Sequence, residues 1–254
     1  MDTLLQLQHC RLAQGQQSFG PFSLAIGPGE RVAILGPSGA GKSTLLHAMA
    51  GDLPPQSGSI LLAGRPLASW SLPALSRRRA VLPQSTRVAF ALTVEQVIAL
   101  GRLGREDGLT GQFVAAAAAL AACGHLLGRS IDSLSGGEAA RVHLARLFAQ
   151  LWDIRQGLIL VDEPLSALDP GLQHLLSRQL DRFARERGHA LLAVLHDLNH
   201  AVRHFDRLLL LRAGQLVGDV PTRALDQTLL QALYGLPFSR AHTDSGQAVW
   251  LPAA

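Results

Sequence analysis

Short apolar runs rich in Val, Ile and Leu alternate along the chain with longer stretches in which apolar residues recur at helical spacing. That alternation predicts an α/β fold, because parallel strands covered by helices on both faces read as unbroken apolar runs. RVAILG (31–36), LILVDE (158–163) and ALLAVLHD (190–197) are the buried strands so predicted. From Leu172 onward, Leu175, Leu176, Leu180 and Phe183 fall on one helical face, with Arg178, Asp181 and Arg182 turned away. An amphipathic helix therefore joins the second of these strands to the third. SILLAG (59–64) and the opening thirty residues read as antiparallel strands, while 93–103 and 111–128 read as helices of a separate insert. RLLLLRAGQLVGD (207–219) sets an Ala-Gly turn between two apolar runs, the pattern of a hairpin, and a second hairpin is expected around Asp244-Ser245-Gly246. No internal repeat or low-complexity linker interrupts the chain, which favours one domain with subdomains.

Composition sharpens this picture. A chain of 254 residues with 48% hydrophobic positions can bury a sizeable core, which excludes disorder. Cys10 and Cys123 stand far apart with no Cys-x-x-Cys partner, so neither a disulfide framework nor a cysteine metal site is indicated, and a reducing compartment fits. The most apolar run, Phe113 to Cys123, is 11 residues long, whereas a spanning helix needs roughly 20. With no basic-then-apolar leader at the N-terminus, the chain is expected to be soluble and unexported. The net charge of +4 suits phosphates, nucleic acid or an anionic membrane face, and Arg77–Arg79 read first as a solvated basic surface.

The strongest local signal is GPSGAGKST: Gly36, Pro37, Ser38, Gly39, Ala40, Gly41, Lys42, Ser43 and Thr44. It satisfies G-x-x-x-x-G-K-S/T directly after a predicted strand and before a helical run, the context that separates a phosphate loop from a chance glycine turn. The glycines let successive N–H groups point inward, and the helix beginning near Lys42 adds its positive end to an anion site. Lys42 is expected to reach the terminal phosphates and the Ser43 hydroxyl to bind Mg²⁺. Small-molecule kinases, GTPases, helicases and transport ATPases share this loop, so the reaction stays open at this point.

Asp162 and Glu163 end a buried strand, at the sheet edge where open α/β proteins bind ligands. Asp162 suits an outer-shell contact to Mg²⁺, and Glu163 suits the orientation and polarisation of the attacking water. A merely structural acidic strand end is the competing reading. His196 ends the next strand and points at the same edge by the same logic. His200 and His204 follow at steps of four, but because His196 belongs to the strand end only two histidines share the helix, and a surface role outweighs a zinc or haem-iron site.

LSGGE (134–138) decides the class. With the phosphate loop it makes the chain resemble the ATP-binding-cassette (ABC) ATPases over nearly its whole length. The elements of that family, in order, look like GPSGAGKST, Gln84 in VLPQS, LSGGE, LILVDEP, SALD (166–169) and His196. Ser135, Gly136 and Gly137 open a helix whose apolar stripe includes Leu144, Leu147, Phe148 and Leu151, so its first N–H groups need an anion. The resemblance implies that this anion is ATP held by a second copy, contacted in trans by Ser135, Gly136, Gly137, Glu138 and Asp169. It implies a P-loop NTPase (RecA-like) core with an antiparallel β subdomain at about 1–84 and 155–220, a helical signature subdomain at about 85–154 that faces a permease, and a tail at about 221–254. It further implies ATP and Mg²⁺ as ligands, the metal held by Ser43, Gln84 and Asp162, with Glu163, His196 and Gln84 catalytic. One departure stands out: RLAQGQQ (11–17) has no aromatic to stack on adenine, Phe19 and Phe22 coming later, so discrimination against GTP is expected to be weak.

A single cassette without a fused membrane span looks like a bacterial importer subunit. RRRAVLPQ (77–84), LTVEQVIALGR (92–102), ARLFAQLW (145–152) and LHDLNHAVRHFDR (195–207) are similar to importers of haem, cobalamin and ferric siderophores. AQLW and the tail AVWLPAA look most like the haem group, whereas LAGRPLASWS (62–71) and FGPFSL (19–24) also resemble cobalamin importers. The implied partners are a second copy, two transmembrane permease subunits and, indirectly, a periplasmic binding protein, at the cytoplasmic side of the inner membrane; no nucleic acid is expected. A DNA-repair cassette carries a long coiled coil between phosphate loop and signature, but only 92 residues separate Lys42 from Ser135, and a translation-associated protein carries two cassettes.

Overall fold

The computed structural model describes residues 3–84, 91–105, 107–163, 168–244 and 246–253. The chain opens with strands β1 (Leu5–Gln14), β2 (Gln17–Ile26) and β3 (Arg31–Leu35), then helix α1 (Lys42–Ala50). Strands β4 (Ser57–Leu62) and β5 (Arg65–Pro66), helix α2 (Leu72–Ser76) and strand β6 (Arg79–Leu82) come next. Three helices follow in succession, α3 (Val94–Ala99), α4 (Thr110–Leu120) and α5 (Gly136–Leu151). Strand β7 (Leu158–Asp162), helix α6 (Pro170–Arg187), strand β8 (Ala190–Val194) and helix α7 (Leu198–His204) then alternate. The chain closes through β9 (Arg207–Arg212), β10 (Gln215–Pro221), α8 (Gln227–Tyr234), β11 (Phe238–His242) and β12 (Ala248–Pro252). Two compact units result, Met1–Ser69 with Leu192–Ala254, and Trp70–Leu191.

In the first unit the opening strands form the expected antiparallel sheet, in the order β2-β1-β4-β5. Leu5 faces Ile26 on one side and Leu62 on the other, and all three are fully buried. β3 runs parallel to β9, Val32 opposite Arg207 through Leu35 opposite Leu210, and Leu208 to Leu211 are without exposure. That burial explains why both strands read as continuous apolar runs. β9 turns into antiparallel β10 through Ala213 (φ 48°) and Gly214 (φ 78°), the left-handed pair that a two-residue hairpin with matching twist requires.

In the second unit β6 and β7 pair in parallel, Arg79 opposite Leu158 through Leu82 opposite Val161. α3, α4 and α5 pack on one another, and α5 buries the predicted stripe Leu144, Leu147, Phe148 and Leu151. The helical reading of 111–128 extends too far. α4 stops at Leu120, Ala122 takes φ 54°, and the Cys123 N–H closes onto Ala118 O, after which a short 3₁₀ turn covers Gly124–Leu126. The stripe predicted on α6 also shifts: Leu176, Leu180, Phe183 and Ala184 are buried, while Leu175 is 44% exposed because it sits about 100° around the helix from Leu176. Phe183 meets Phe148 at 4.8 Å between ring centres, which fastens α6 to α5. Among the described residues no helix is long and apolar enough to cross a membrane.

Candidate functional site

The phosphate loop is a turn between β3 and α1 whose shape depends on two glycines. Gly36 (φ 156°) passes so close to β9 that a Cβ there would lie 2.0 Å from the carbonyl oxygen of Leu211. Gly41 (φ 94°) rests on Phe19, whose ring would come within 2.4 Å of a Cβ. No side chain larger than hydrogen fits either place. α1 begins at Lys42, as expected, with no acidic residue in its first turn to compete for an anion. The Lys42 ammonium donates to the carbonyls of Gly36 at 2.8 Å and Pro37 at 3.0 Å, which keeps the charge at the centre of the loop. Thr44 Oγ1 donates to Gln14 Oε1 at 2.7 Å and so ties the tip of the β1–β2 hairpin to the start of α1. Phe19, 5% exposed, and Phe22, fully buried, are core side chains that present no open ring face.

His196 lies in the same unit, exposed, on the connection from β8 to α7. Its neighbours are fixed on both sides: Leu195 N–H donates to Ile34 O at 3.2 Å, and the Asp197 carboxylate caps α7 by accepting from His200 N–H at 3.0 Å. The rings of His200 and His204 lie 4.5 Å apart along α7. Among the described residues no group of three metal-liganding side chains converges.

Gln84, Asp162 and Glu163 belong to the other unit. The register that sets Leu82 opposite Val161 carries Gln84 and Glu163, two residues further on, to the same edge, where Gln84 Nε2 donates to Glu163 Oε2 at 3.2 Å. Glu163 adopts φ 48°, a left-handed conformation that costs a non-glycine residue about 1–3 kcal/mol and persists where the surroundings impose it. Asp162 is 3% exposed, and its Oδ1 is buried without a hydrogen-bond donor among the described residues. An uncompensated buried carboxylate oxygen of this kind fits a divalent cation.

The signature opens α5 with a reciprocal cap. Ser135 Oγ accepts from Glu138 N–H at 3.3 Å, while one Glu138 carboxylate oxygen accepts from Ser135 N–H and Oγ–H, both at 2.8 Å. Arg129 reaches the other oxygen at 3.2 Å. The backbone bond from Ser135 is the main cause that holds the Glu138 carboxyl below its ordinary pKa. Glu138 thus acts on its own helix and takes up the Ser135 N–H, leaving Gly136 and Gly137, the first two residues of α5, to present N–H donors. Asp169 likewise caps α6, accepting from Leu172 N–H at 3.0 Å. Ser166 and Ala167 of the D-loop, Pro164 and Ser85 lie outside the described residues. The sequence reading missed Gln14 as the anchor of Thr44 and Phe19 as the wedge under Gly41, since neither contact leaves a spacing pattern.

The chain belongs to the ABC transporter family, whose model matches residues 19–166. It is an ABC ATPase with the α/β P-loop NTPase fold, and ATP is its nucleotide. Its relatives include the hemin import ATP-binding protein HmuV of Pseudomonas fluorescens (strain Pf0-1), 45% identical over 92% of this chain and 93% of the relative. The protein of the same name from Pseudomonas aeruginosa PAO1 is 46% identical over the same shares of the two chains. Among solved structures, a metal-chelate type ABC transporter in an inward-facing conformation superposes with a TM-score of 0.81 at 26% identity, covering 100% of this chain and 98% of that one.

Proposed function

We infer that the chain is the ATP-hydrolysing subunit of a haem importer, working as a homodimer beneath two permease subunits on the cytoplasmic face of a bacterial inner membrane. The observation that carries this reading is the likeness, at 45–46% identity over 92% of the chain, to hemin import ATP-binding proteins. Gly36 to Thr44 bind the triphosphate through loop N–H groups, with Lys42 on the terminal phosphates. Glu163, held by Gln84, orients the attacking water and takes its proton as the new P–O bond forms and the β–γ bridge breaks, releasing ADP and phosphate. His196 steadies the γ-phosphate or the water. Ser43, Gln84 and Asp162 are the residues that would hold Mg²⁺, which neutralises phosphate charge when bound. Ser135, Gly136, Gly137 and Asp169 serve the partner copy's nucleotide, with Glu138 shaping the start of α5 that the first three share.

Reconstitution in liposomes with a haem-importer permease and a periplasmic haem-binding protein tests the reading. ATP-dependent uptake of haem, exceeding that of cobalamin and ferric siderophore, is expected. Uptake of either of the others in its place would reassign the substrate, and co-purification with nucleic acid or ribosomes in place of a membrane protein would remove the transport role.

A further inference from the structure

The C-terminal hairpin grips the helix that follows His196, and it does so through backbone. Asn199, in the first turn of α7, accepts from Trp250 N–H at 2.8 Å through Oδ1 and donates to Trp250 O at 3.1 Å through Nδ2. The side-chain amide thereby satisfies both polar groups of one residue of β12, as a neighbouring strand would. The hairpin that supplies Trp250 is itself fixed. β11 and β12 pair from Phe238 opposite Pro252 to His242 opposite Ala248, Tyr234 of α8 stacks near Phe238 at 5.5 Å, and Trp250 is 6% exposed. At its other end α7 is held by Arg31, which donates to His204 O at 2.9 Å and pairs with Asp206. Between these anchors and the bond from Leu195 to Ile34, two residues before Gly36, the stretch 195–197 has little freedom.

We propose that Asn199 is a positioning residue for ATP hydrolysis: clamped to the backbone of Trp250, it lets the C-terminal hairpin hold α7, and through it His196, in the catalytic arrangement. The proposal rests on the reading of His196 given above. A double-mutant cycle on the full-length chain separates the two, because a residue that acts only through His196 has nothing left to lose once His196 is gone.

Asn199→Ala is expected to lower kcat for Mg²⁺-ATP about fivefold or more while KM stays within about twofold, the signature of an interaction realised in the transition state. In a His196→Ala background the same substitution should change kcat less than about twofold. Trp250→Phe, which keeps the backbone clamp, should retain kcat. If Asn199→Ala folds poorly, Asn199→Asp, which preserves the acceptor for Trp250 N–H and loses the donor, takes its place in the cycle with a smaller loss. Equal losses in both His196 backgrounds, or an unchanged kcat for Asn199→Ala, overturn the clamp while the His196 assignment stands. A His196→Ala protein that hydrolyses normally removes that assignment and the clamp with it.

Discussion

At the scale of single residues, several candidate residues occupy positions where the usual side-chain rules are suspended. Glu163 accepts a left-handed backbone so that its carboxylate meets Gln84, and the strain is informative because a carboxylate needed only to end a strand has no reason to carry it. Glu163→Gln should therefore keep ATP binding and lower kcat by about 10²–10⁴-fold, the range for loss of a general base. The variant should elute as a dimer with ATP on size-exclusion chromatography, and normal turnover would unseat the base assignment. Gly41→Ala tests the cradle from the steric side. A methyl group 2.4 Å from the Phe19 ring at φ 94° cannot be placed without moving the loop, so ATP titration should show binding lost or weakened at least tenfold, with a lower melting temperature. Lys42, Asp162 and Glu163 stand out in the sequence as candidates because a contiguous motif or a strand end marks them. The Asn199–Trp250 clamp does not, since its partners lie 51 positions apart and one of them contributes only backbone.

At the scale of elements, what the sequence revealed followed burial. β3, β7 and β8 are buried at every position, and their apolar runs were readable for that reason. The end of α4 was not, because its alanine-rich run carries no stop signal: the left-handed break falls on Ala122, a residue with the highest helix propensity, where glycine is usual. α5 carries a prediction of its own. His143 is 2% exposed, with Nδ1 lacking a partner among the described residues, and burial, aided by the nearby Arg146 charge, pushes its pKa down to about 4. Burial, with Arg187 close by, does the same to His189, also to about 4. Both imidazoles are neutral in the fold but take up a proton in the unfolded chain near the ordinary value of 6.5. Their contribution is complete above that pH and is lost as pH falls toward 4, because the unfolded state binds more protons in that window. Urea midpoints at pH 7 and pH 5 should differ less in His143→Leu, which fills the site without a titrating group, than in the natural chain; an equal difference would assign the slope to other groups.

At the scale of the whole molecule, the proposed function makes the signature and the phosphate loop halves of different sites. Gly136 and Gly137 present helix N–H groups at a start that Ser135, Glu138 and Arg129 hold in place, and Lys42 is enclosed by its own loop carbonyls, so each is preorganised without the other. If each nucleotide needs the loop of one copy and the signature of the other, specific ATPase activity must rise with protein concentration until dimers saturate, and dilution must abolish it. Complementation gives the sharper form of the test. Lys42→Ala spoils the loop and Ser135→Arg spoils the signature, and each variant alone should be inactive because every dimer then has two defective sites. A mixed dimer, however, gathers both defects into one site and leaves the other intact. With random pairing of equal amounts, half the dimers are mixed, so activity should return to about a quarter of the natural level if the sites fire independently. A mixture that stays as inactive as its components, at a concentration where the natural chain is fully active, would mean that loop and signature act within a single copy.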